Sequence, residues 1–276
     1  MTKTYNLKIQ IYSNGVVVFA GEMYIYLKKK GKEMKELIKK EIKRIEGNID
    51  MLVNIIIMEI DDFKAYGFQH ITEDNRQFFF ADNHADVLAV AHLDTVQKEA
   101  SFSYNKKEGM IYSSFMDDRL GAYILLEHLQ SELNYDILLT VDEERGKSTA
   151  RSFNPEKKYK WMFSFDRKGT EVVMYQYETP GLVKELDKYG FITGIGSYSD
   201  ICELEHLGCK GFNFGTGYYK GHFEDGFAKL NDTVENIIKF RNFYNANAGK
   251  HFPHKATRKL NPGSAITTAV TYILTD

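Results

Sequence analysis

Apolar and polar residues alternate near the start of the chain with the period of a half-buried strand. The alternation covers residues 7–11, and an apolar run at residues 16–20 predicts the return strand of a hairpin. A further short apolar run at residues 23–27 predicts a third strand. Apolar residues then recur on one helical face, with lysines opposite them and Gly47 placed to end the helix. Residues 1–48 are therefore predicted to form a small basic β-β-β-α module.

From residue 50 onward, short apolar runs alternate with segments of helical periodicity. Such alternation indicates an α/β domain with a mixed, mainly parallel central sheet flanked by helices. The predicted domain spans residues 49–276, and its last 26 residues are given no role. The predicted strands are residues 52–58, 78–81, 87–91, 137–141, 161–165, 172–177 and 211–214, and the predicted helices are residues 120–129, 182–189 and 233–244.

Composition and charge narrow the classes of protein. The 276 residues carry a formal net charge of −2, and 43% of them are hydrophobic, which is enough for a sizeable core. Positive charge is concentrated in residues 1–48, with 11 Lys and Arg against 5 Asp and Glu. The helical spacing predicts a solvated helix face for these lysines, so no nucleic-acid partner is expected. Two cysteines exclude a disulfide scaffold. No apolar run approaches the roughly 18 residues that span a bilayer, and no signal-peptide core begins the sequence, so we expect a cytoplasmic protein without a membrane partner.

Acidic residues and histidines collect where the predicted strands end. They are His92 and Asp94 after residues 87–91, Asp142, Glu143 and Glu144 after residues 137–141, Asp166 and Arg167 after residues 161–165, His222 closing a glycine-rich loop after residues 211–214, and Asp117 with Asp118 ahead of a helix. Ligands bind open α/β sheets at the carboxyl ends of the strands, and imidazole and carboxylate groups suit a zinc-like ion. His92 and Asp94 are two residues apart on an extended chain, so we expect Asp94 to accept the second ring N–H of His92.

These segments resemble the motifs of a known family, the dinuclear zinc exopeptidases of clan MH. The similarity lies in five ordered motifs that cover residues 86–222, about half of the chain. The motifs are residues 89–96 (AVAHLDTV), 116–121 (MDDRLG), 140–146 (TVDEERG), 165–167 (FDR) and 217–222 (GYYKGH).

The resemblance implies a role for each residue of the site. Asp117 bridges two metal ions, His92 and Asp166 complete one ion, and Glu144 and His222 complete the other. Glu143 is then the general base, and Asp94 orients His92. The two divalent ions are expected to be zinc, with cobalt or manganese as alternatives. The resemblance also implies a cis bond between Asp117 and Asp118.

Spacing favours one branch of this family. His92 and Asp117 are 25 residues apart, and Asp166 and His222 are 56 apart, so neither interval holds an inserted domain. The chain is therefore most similar to the compact leucyl-aminopeptidase-like branch. The glutamyl-aminopeptidase-like branch is the alternative, because residues 166–169 and 199–201 resemble it.

The leading hypothesis is an exopeptidase of aminopeptidase type that acts on short peptides, with a homo-oligomer allowed. Tyr218, Tyr219 and Arg167 are candidates for contacts with the oxyanion or the substrate. A second hypothesis is an N-acyl amino-acid amidohydrolase that uses the same metals and reads a carboxylate through Arg119 or Arg167. A third hypothesis is a catalytically inactive metal-binding protein that binds a partner through its N-terminal module.

Overall fold

The computed structural model of the chain describes residues 10–11, 17–18 and 21–255, with side chains from residue 31 onward. Strands β1 (Gln10–Ile11) and β2 (Val17–Val18) pair antiparallel, as expected for the first two predicted strands. The rest of these two strands and residues 256–276 lie outside the described residues.

A seven-stranded sheet forms the centre of the fold. In spatial order its strands are β10 (Val172–Val173), β11 (Lys210–Gly215), β9 (Trp161–Arg167), β5 (Val87–His92), β8 (Asp136–Thr140), β4 (Gln77–Ala81) and β3 (Phe68–Ile71). The four strands β11, β9, β5 and β8 are parallel, and the three outer strands are antiparallel to their neighbours. The predicted mixed, mainly parallel sheet is confirmed. The carboxyl ends of the four parallel strands meet at one edge.

Helices cover the sheet and bury its strands. They are α1 (Gly21–Gly47), α2 (Ile49–Ile57), α3 (Met116–Tyr123, continued by a π turn at Ile124–Leu129), α4 (Pro180–Asp187), α5 (Asp200–Glu203) and α6 (Leu230–Asn247). Every residue of β5 is buried, as expected for a parallel strand covered on both faces. The aromatic rings of α6 pack on β9, with the ring centroids of Phe163 and Phe240 4.6 Å apart. None of the helices among the described residues is both long and apolar enough to span a membrane.

A second, four-stranded antiparallel sheet lies outside the predictions. It consists of β12 (Tyr218–Tyr219), β13 (Phe227–Lys229), β7 (Met110–Tyr112) and β6 (Ser103–Asn105). The interval between His92 and Asp117 therefore holds a hairpin and no inserted domain. The sheet also fixes the strand that precedes His222.

The N-terminal module differs from the expectation in its third element. Residues 23–27 are not a strand but lie within α1, which is helical from Gly21 to Gly47. A short apolar run is compatible with either structure, and extending a helix that already exists needs no new nucleation. The helix ends at Gly47 as predicted, and its lysines from residue 32 onward are exposed, whereas Leu37, one of the apolar residues of the predicted helix face, is 46% exposed. The domain boundary at residue 48 stays a prediction.

The strand predicted at residues 52–58 is also wrong, because residues 52–57 lie in α2 and Met58 follows the end of that helix. Leu52, Ile55 and Ile56 are fully buried while Ile57 is 49% exposed, which is the spacing of a helix face. A continuous apolar run does not distinguish a buried strand from a buried helix by its period.

The second half of α1 is anchored to the α/β body by buried charges. Glu41 lies 2.9 Å from Nε2 of His128 and 3.0 Å from Nη1 of Arg241. The hydrogen bond from His128, together with Arg241, lowers the pKa of Glu41 to about 2. Arg44 donates to the backbone carbonyl of His128 at 2.9 Å, and Ile45 is 1% exposed. Helix α1 therefore packs on the helices that cover the sheet.

Candidate metal centre

The structure brings the five expected ligand residues together at the carboxyl edge of the parallel strands. His92 ends β5, Asp166 lies near the end of β9, and Glu144 follows β8. Asp117 lies at the start of α3, and His222 follows β12. Their ligand atoms form two groups, one with His92 and Asp166 and one with Glu144 and His222, and both groups include Asp117.

The shared carboxylate turns one oxygen toward each histidine. Nε2 of His92 lies 3.4 Å from Oδ1 of Asp117 and 3.4 Å from Oδ1 of Asp166. Nε2 of His222 lies 3.3 Å from Oδ2 of Asp117 and 3.2 Å from Oε2 of Glu144. Ligand distances of about 2.0–2.1 Å in a tetrahedral zinc site place neighbouring donor atoms about 3.3 Å apart. The nitrogen and oxygen donors therefore fit two divalent ions.

Two carboxylate oxygens of the cluster have no hydrogen-bond donor. Oδ1 of Asp117 and Oε1 of Glu144 are buried and accept no hydrogen bond from the described residues. Buried polar atoms normally have a partner, and an anionic oxygen is costly to bury without one. A bound cation would satisfy both oxygens, which is a second reason why this group of residues fits metal ions.

The backbone around Asp117 is shaped for close approach. The peptide bond between Asp117 and Asp118 is cis, as the family resemblance implied. A β-carbon at Gly221 would lie 2.6 Å from Oδ2 of Asp117 and 2.7 Å from Cε2 of Tyr218. Glycine at this position therefore lets the loop before His222 reach the shared carboxylate.

Crowding of carboxylates shifts the pKa values in the site. Burial raises the pKa of Glu143 to about 9 and that of Glu144 to about 7. Burial also opposes ionisation of Asp117, but the imidazoles of His222 and His92 outweigh it and hold its pKa below the ordinary value. Burial alone would lower the pKa of His92, yet the surrounding carboxylates raise it well above the ordinary value. The pKa of His222 is raised by its hydrogen bond to Asp117. The cluster therefore favours positive charge at its centre.

Asp94 holds His92 differently from the expectation. Nδ1 of His92 lies 3.0 Å from the backbone carbonyl oxygen of Asp94 and 3.7 Å from its carboxylate. The carboxylate instead accepts the backbone N–H groups of Glu143 at 3.3 Å and Glu144 at 3.2 Å. Because a carbonyl oxygen only accepts, it places the ring proton on Nδ1 and leaves Nε2 free to bind an ion. The Asp94 carboxylate lies within ion-pair distance of the ring and also fixes the turn that carries both glutamates, so its role in orienting His92 stays a prediction.

Glu143 lies beside the cluster and belongs to neither ligand group. Its Oε2 is 3.9 Å from Nε2 of His92, and its side chain is 12% exposed. The neighbouring Glu144 turns its own Oε2 toward His222. The two adjacent glutamates therefore occupy different positions in the site.

Two residues that sequence reasoning missed position Asp166. Asn213 in β11 accepts the backbone N–H of Asp166 and donates its amide to Oδ2 of Asp166, both at 3.0 Å. Ser199 donates its hydroxyl to the same oxygen at 3.0 Å. Oδ2 is thus occupied, and Oδ1 faces His92. The available signal for Asn213 was a polar residue within an otherwise apolar predicted strand.

A further buried carboxylate, Asp200, supports the strand that leads to the glutamates. Thr140 at the end of β8 donates its hydroxyl to Asp200 at 2.7 Å, and Ser148 donates to the other oxygen. Burial raises the pKa of Asp200 to about 6. Asp200 therefore connects α5 to the end of β8.

The two candidate tyrosines face different partners. Tyr218 is 4% exposed and donates its hydroxyl to the backbone carbonyl of Asp166 at 2.9 Å. Tyr219 donates to Asp232 at 2.7 Å and stacks on Phe227. Successive residues of a strand point to opposite faces, so only Tyr218 lies against the metal cluster.

The two candidate arginines are already engaged. Arg119 is buried and donates to three backbone carbonyls, those of Leu93 at 2.8 Å, Ile55 at 2.9 Å and Met58 at 2.8 Å. Burial lowers its pKa to about 10. Arg167 forms an ion pair with Glu171 at 3.2 Å. The expectation that Arg119 reads a substrate carboxylate is wrong, because its guanidinium holds the carboxyl end of α2.

Comparisons with known proteins agree with this fold. No protein-family model and no curated protein matches the chain. A tripeptidase structure from Staphylococcus aureus matches with a TM-score of 0.51 and 12% identity, over 69% of this chain and 96% of that one. A TET aminopeptidase from a marine sediment archaeon of the Thaumarchaeota has a TM-score of 0.48 and 11% identity, over 71% and 96%. The Pyrococcus horikoshii TET1 peptidase has a TM-score of 0.45 and 14% identity, over 76% and 98%. The likeness to the tripeptidase structure shows a shared fold, which is the fold that the resemblance to clan MH implied.

Proposed function

We propose that the chain is a metal-dependent exopeptidase of aminopeptidase type that hydrolyses short peptides. The observation that carries the proposal is the sharing of Asp117 by two groups of ligand atoms, with Glu143 beside them. The Staphylococcus aureus neighbour is a tripeptidase, which supports short peptides as the substrate class. A homo-oligomer and a cytoplasmic location stay predictions.

His92, Asp117 and Asp166 would hold one divalent ion, and Asp117, Glu144 and His222 the other. Zinc suits these nitrogen and oxygen donors best, with cobalt or manganese as alternatives. Two such ions polarise a scissile carbonyl and lower the pKa of water toward neutrality.

The protein's own groups then orient the reactants and move the proton. Glu143 accepts a proton from the attacking water and passes it to the leaving amine, the work of a general base followed by a general acid. Burial raises the pKa of Glu143. Divalent ions bound at the cluster would lower this pKa again, because an opposite charge nearby favours the carboxylate. The Asp94 carboxylate keeps Glu143 and Glu144 in place through their backbone N–H groups.

The competing hypotheses have less support from the side-chain contacts. An amidohydrolase needs a cation for the substrate carboxylate, and Arg119 already donates to three backbone carbonyls, whereas Arg167 is paired with Glu171 and has a buried Nε without a hydrogen-bond partner among the described residues. A protein that only binds metal needs the five candidate ligands but not Glu143. The carboxylate of Glu143 beside these ligands therefore favours a catalytic protein.

Two measurements on the purified full-length protein test the proposal. We expect about two zinc ions per chain by mass spectrometry, and hydrolysis of dipeptides and tripeptides that stops on chelation. N-acetyl amino acids should be poor substrates. Hydrolysis of N-acetyl amino acids in preference to free peptides would favour the amidohydrolase, and full metal content without any hydrolysis would favour the binding protein.

A further inference from the structure

A cleft opens beside the half of the centre that contains Glu144. Its volume is about 700 Å³, and its wall includes Glu144 and Asp94 before continuing to the β3–β4 hairpin. Pockets for small ligands have volumes of about 300–1,000 Å³. Because Glu144 forms part of the wall, the cleft adjoins the candidate centre.

Aliphatic side chains on the wall lack the burial that such residues usually have. Ile71 at the end of β3 is 58% exposed, and Val96, the last residue of the His92 motif, is 50% exposed. Ile60, which is half-buried, and Val141, which is only 8% exposed, complete the aliphatic part of the wall. Exposed apolar groups gathered in a concave site mark a place where an apolar group binds.

Three charged groups of the cleft, Arg76, Asp142 and Arg145, are linked by ion pairs. Arg76 lies 2.7 Å from Asp74 and 3.4 Å from Asp142. Arg145 lies 3.3 Å from Asp142, and the Asp94 carboxylate accepts two backbone N–H groups. A charged substrate side chain would have to compete with these pairs, whereas an aliphatic one would cover exposed carbon atoms.

The segment that carries Val96 is tied to the metal centre. Thr95 donates its hydroxyl to the carbonyl of Gln97 at 3.0 Å. The Gln97 amide donates to the carbonyl of His222 at 2.8 Å. Val96 therefore keeps a fixed place relative to the ligands at both ends of this connection.

We propose that this cleft selects an aliphatic side chain on a residue that flanks the scissile bond, and that Ile71 and Val96 determine this specificity. The proposal rests on the proposed peptidase function. A methylene group in a hydrophobic pocket is typically worth 10- to 200-fold in discrimination, so removing either side chain should be measurable.

The test compares kcat/KM for Leu-Gly and Gly-Leu with kcat/KM for Ala-Gly and Gly-Ala on the zinc-loaded protein. We expect a preference for leucine at one of the two positions, and a loss of about 10-fold in that preference in Ile71→Ala and in Val96→Ala. Zinc content and Tm should not change, because both side chains are largely exposed. Ile57→Ala is the matched control, since Ile57 is 49% exposed and does not line the cleft.

Other results would overturn the proposal. A leucine preference that both variants retain, or an equal loss for all four dipeptides, removes the assigned role. A preference of the enzyme for substrates with acidic side chains, lost in Arg145→Gln, would show that the cleft selects a charged side chain. If no peptide is hydrolysed, the proposed function fails on its own, and calorimetric binding of the same dipeptides tests the cleft. Tighter binding of the leucine peptide that Ile71→Ala abolishes supports it, and equal binding of all four overturns it.

Discussion

The two halves of the candidate centre are built from the same kinds of ligand but are supported differently. His92 is 1% exposed at the end of a buried strand, and Asp166 is held by Asn213 and Ser199. His222 is 57% exposed on a loop, and one oxygen of Glu144 has no hydrogen bond from the described residues. Donors that are already fixed lose less freedom when they bind an ion. The comparison teaches that burial and hydrogen bonding of the ligands can distinguish two sites of similar composition.

The largest expected effect is on the rate of peptide hydrolysis, and it distinguishes Glu144 from the adjacent Glu143. Glu143→Gln removes a proton acceptor without removing a ligand, so we expect peptide hydrolysis to fall by about 10²–10⁴-fold with metal content unchanged. Glu144→Gln is the matched variant and should lose metal as well as rate. Kinetics and mass spectrometry on the same samples decide, and unchanged turnover in Glu143→Gln would contradict the assigned base.

The histidines test the two halves directly. His222→Ala should lose about one ion per chain and keep a Tm close to that of the parent, because the side chain is exposed and contributes little packing. His92→Ala should release the ion of the buried half and lower the Tm, since it leaves a cavity and unpaired carboxylates. Metal counts after dialysis, beside thermal unfolding, check both results. Loss of the same ion in both variants would mean that the halves are not distinct sites.

Asn213→Ala should weaken the buried half without removing a ligand. Supporting hydrogen bonds to metal ligands typically contribute 10–100-fold in affinity, so we expect a loss of about that size in zinc binding. Asn247→Ala is the control, because Asn247 is also buried and its amide donates to the carbonyl of Phe243 near the end of α6, beside Trp161 at the opposite end of β9 from Asp166. Both variants should lose about 1–3 kcal/mol in the free energy of unfolding. Equal zinc affinity in the two variants would contradict the positioning role.

The last expected effect is the pH dependence of the stability of the metal-free protein. The folded chain keeps protons on Glu143, with a pKa of about 9, and on Glu144, with a pKa of about 7, which the unfolded chain releases near their ordinary values. The raised pKa values of His92 and His222 act in the same direction. Because the folded state binds more protons, the free energy of unfolding should fall as the pH rises from about 6.5 to 9. Thermal unfolding in chelator at several pH values checks this, and a Tm that rises over this range would contradict it.

The sequence predicted the parts of the fold that repeat a simple pattern. The parallel strands are buried on both faces, so β5, β8, β9 and β11 appear as nearly continuous apolar runs. The strands of the second sheet have only two or three residues each, too few to show a period. Helix α2 was missed because its apolar run fits either structure.

The site was predicted where a motif names a residue and missed where tertiary packing supplies the partner. The five residues predicted as metal ligands converge in the structure. The hold of Asn213 and Ser199 on Asp166 joins residues that are 47 and 33 positions away from it, so no local spacing reveals it. The role of Arg119 was predicted wrongly for the same reason. It was expected to contact the substrate, but its partners include backbone carbonyls that are distant in the sequence.

The hydrogen bonds of Arg119 connect the candidate metal centre to the end of α2. Its guanidinium joins the carbonyl of Leu93, between His92 and Asp94, to the carbonyls of Ile55 and Met58 at the end of α2. Amide hydrogens exchange with solvent through local opening, whose free energy depends on such connections. Opening the end of α2 breaks its bonds to Arg119 and so loosens a connection to the segment that holds His92. Zinc binding should therefore slow amide hydrogen exchange at the last residues of α2 as well as at the candidate ligand residues. Exchange at the end of α2 would then depend on metal binding at a distance.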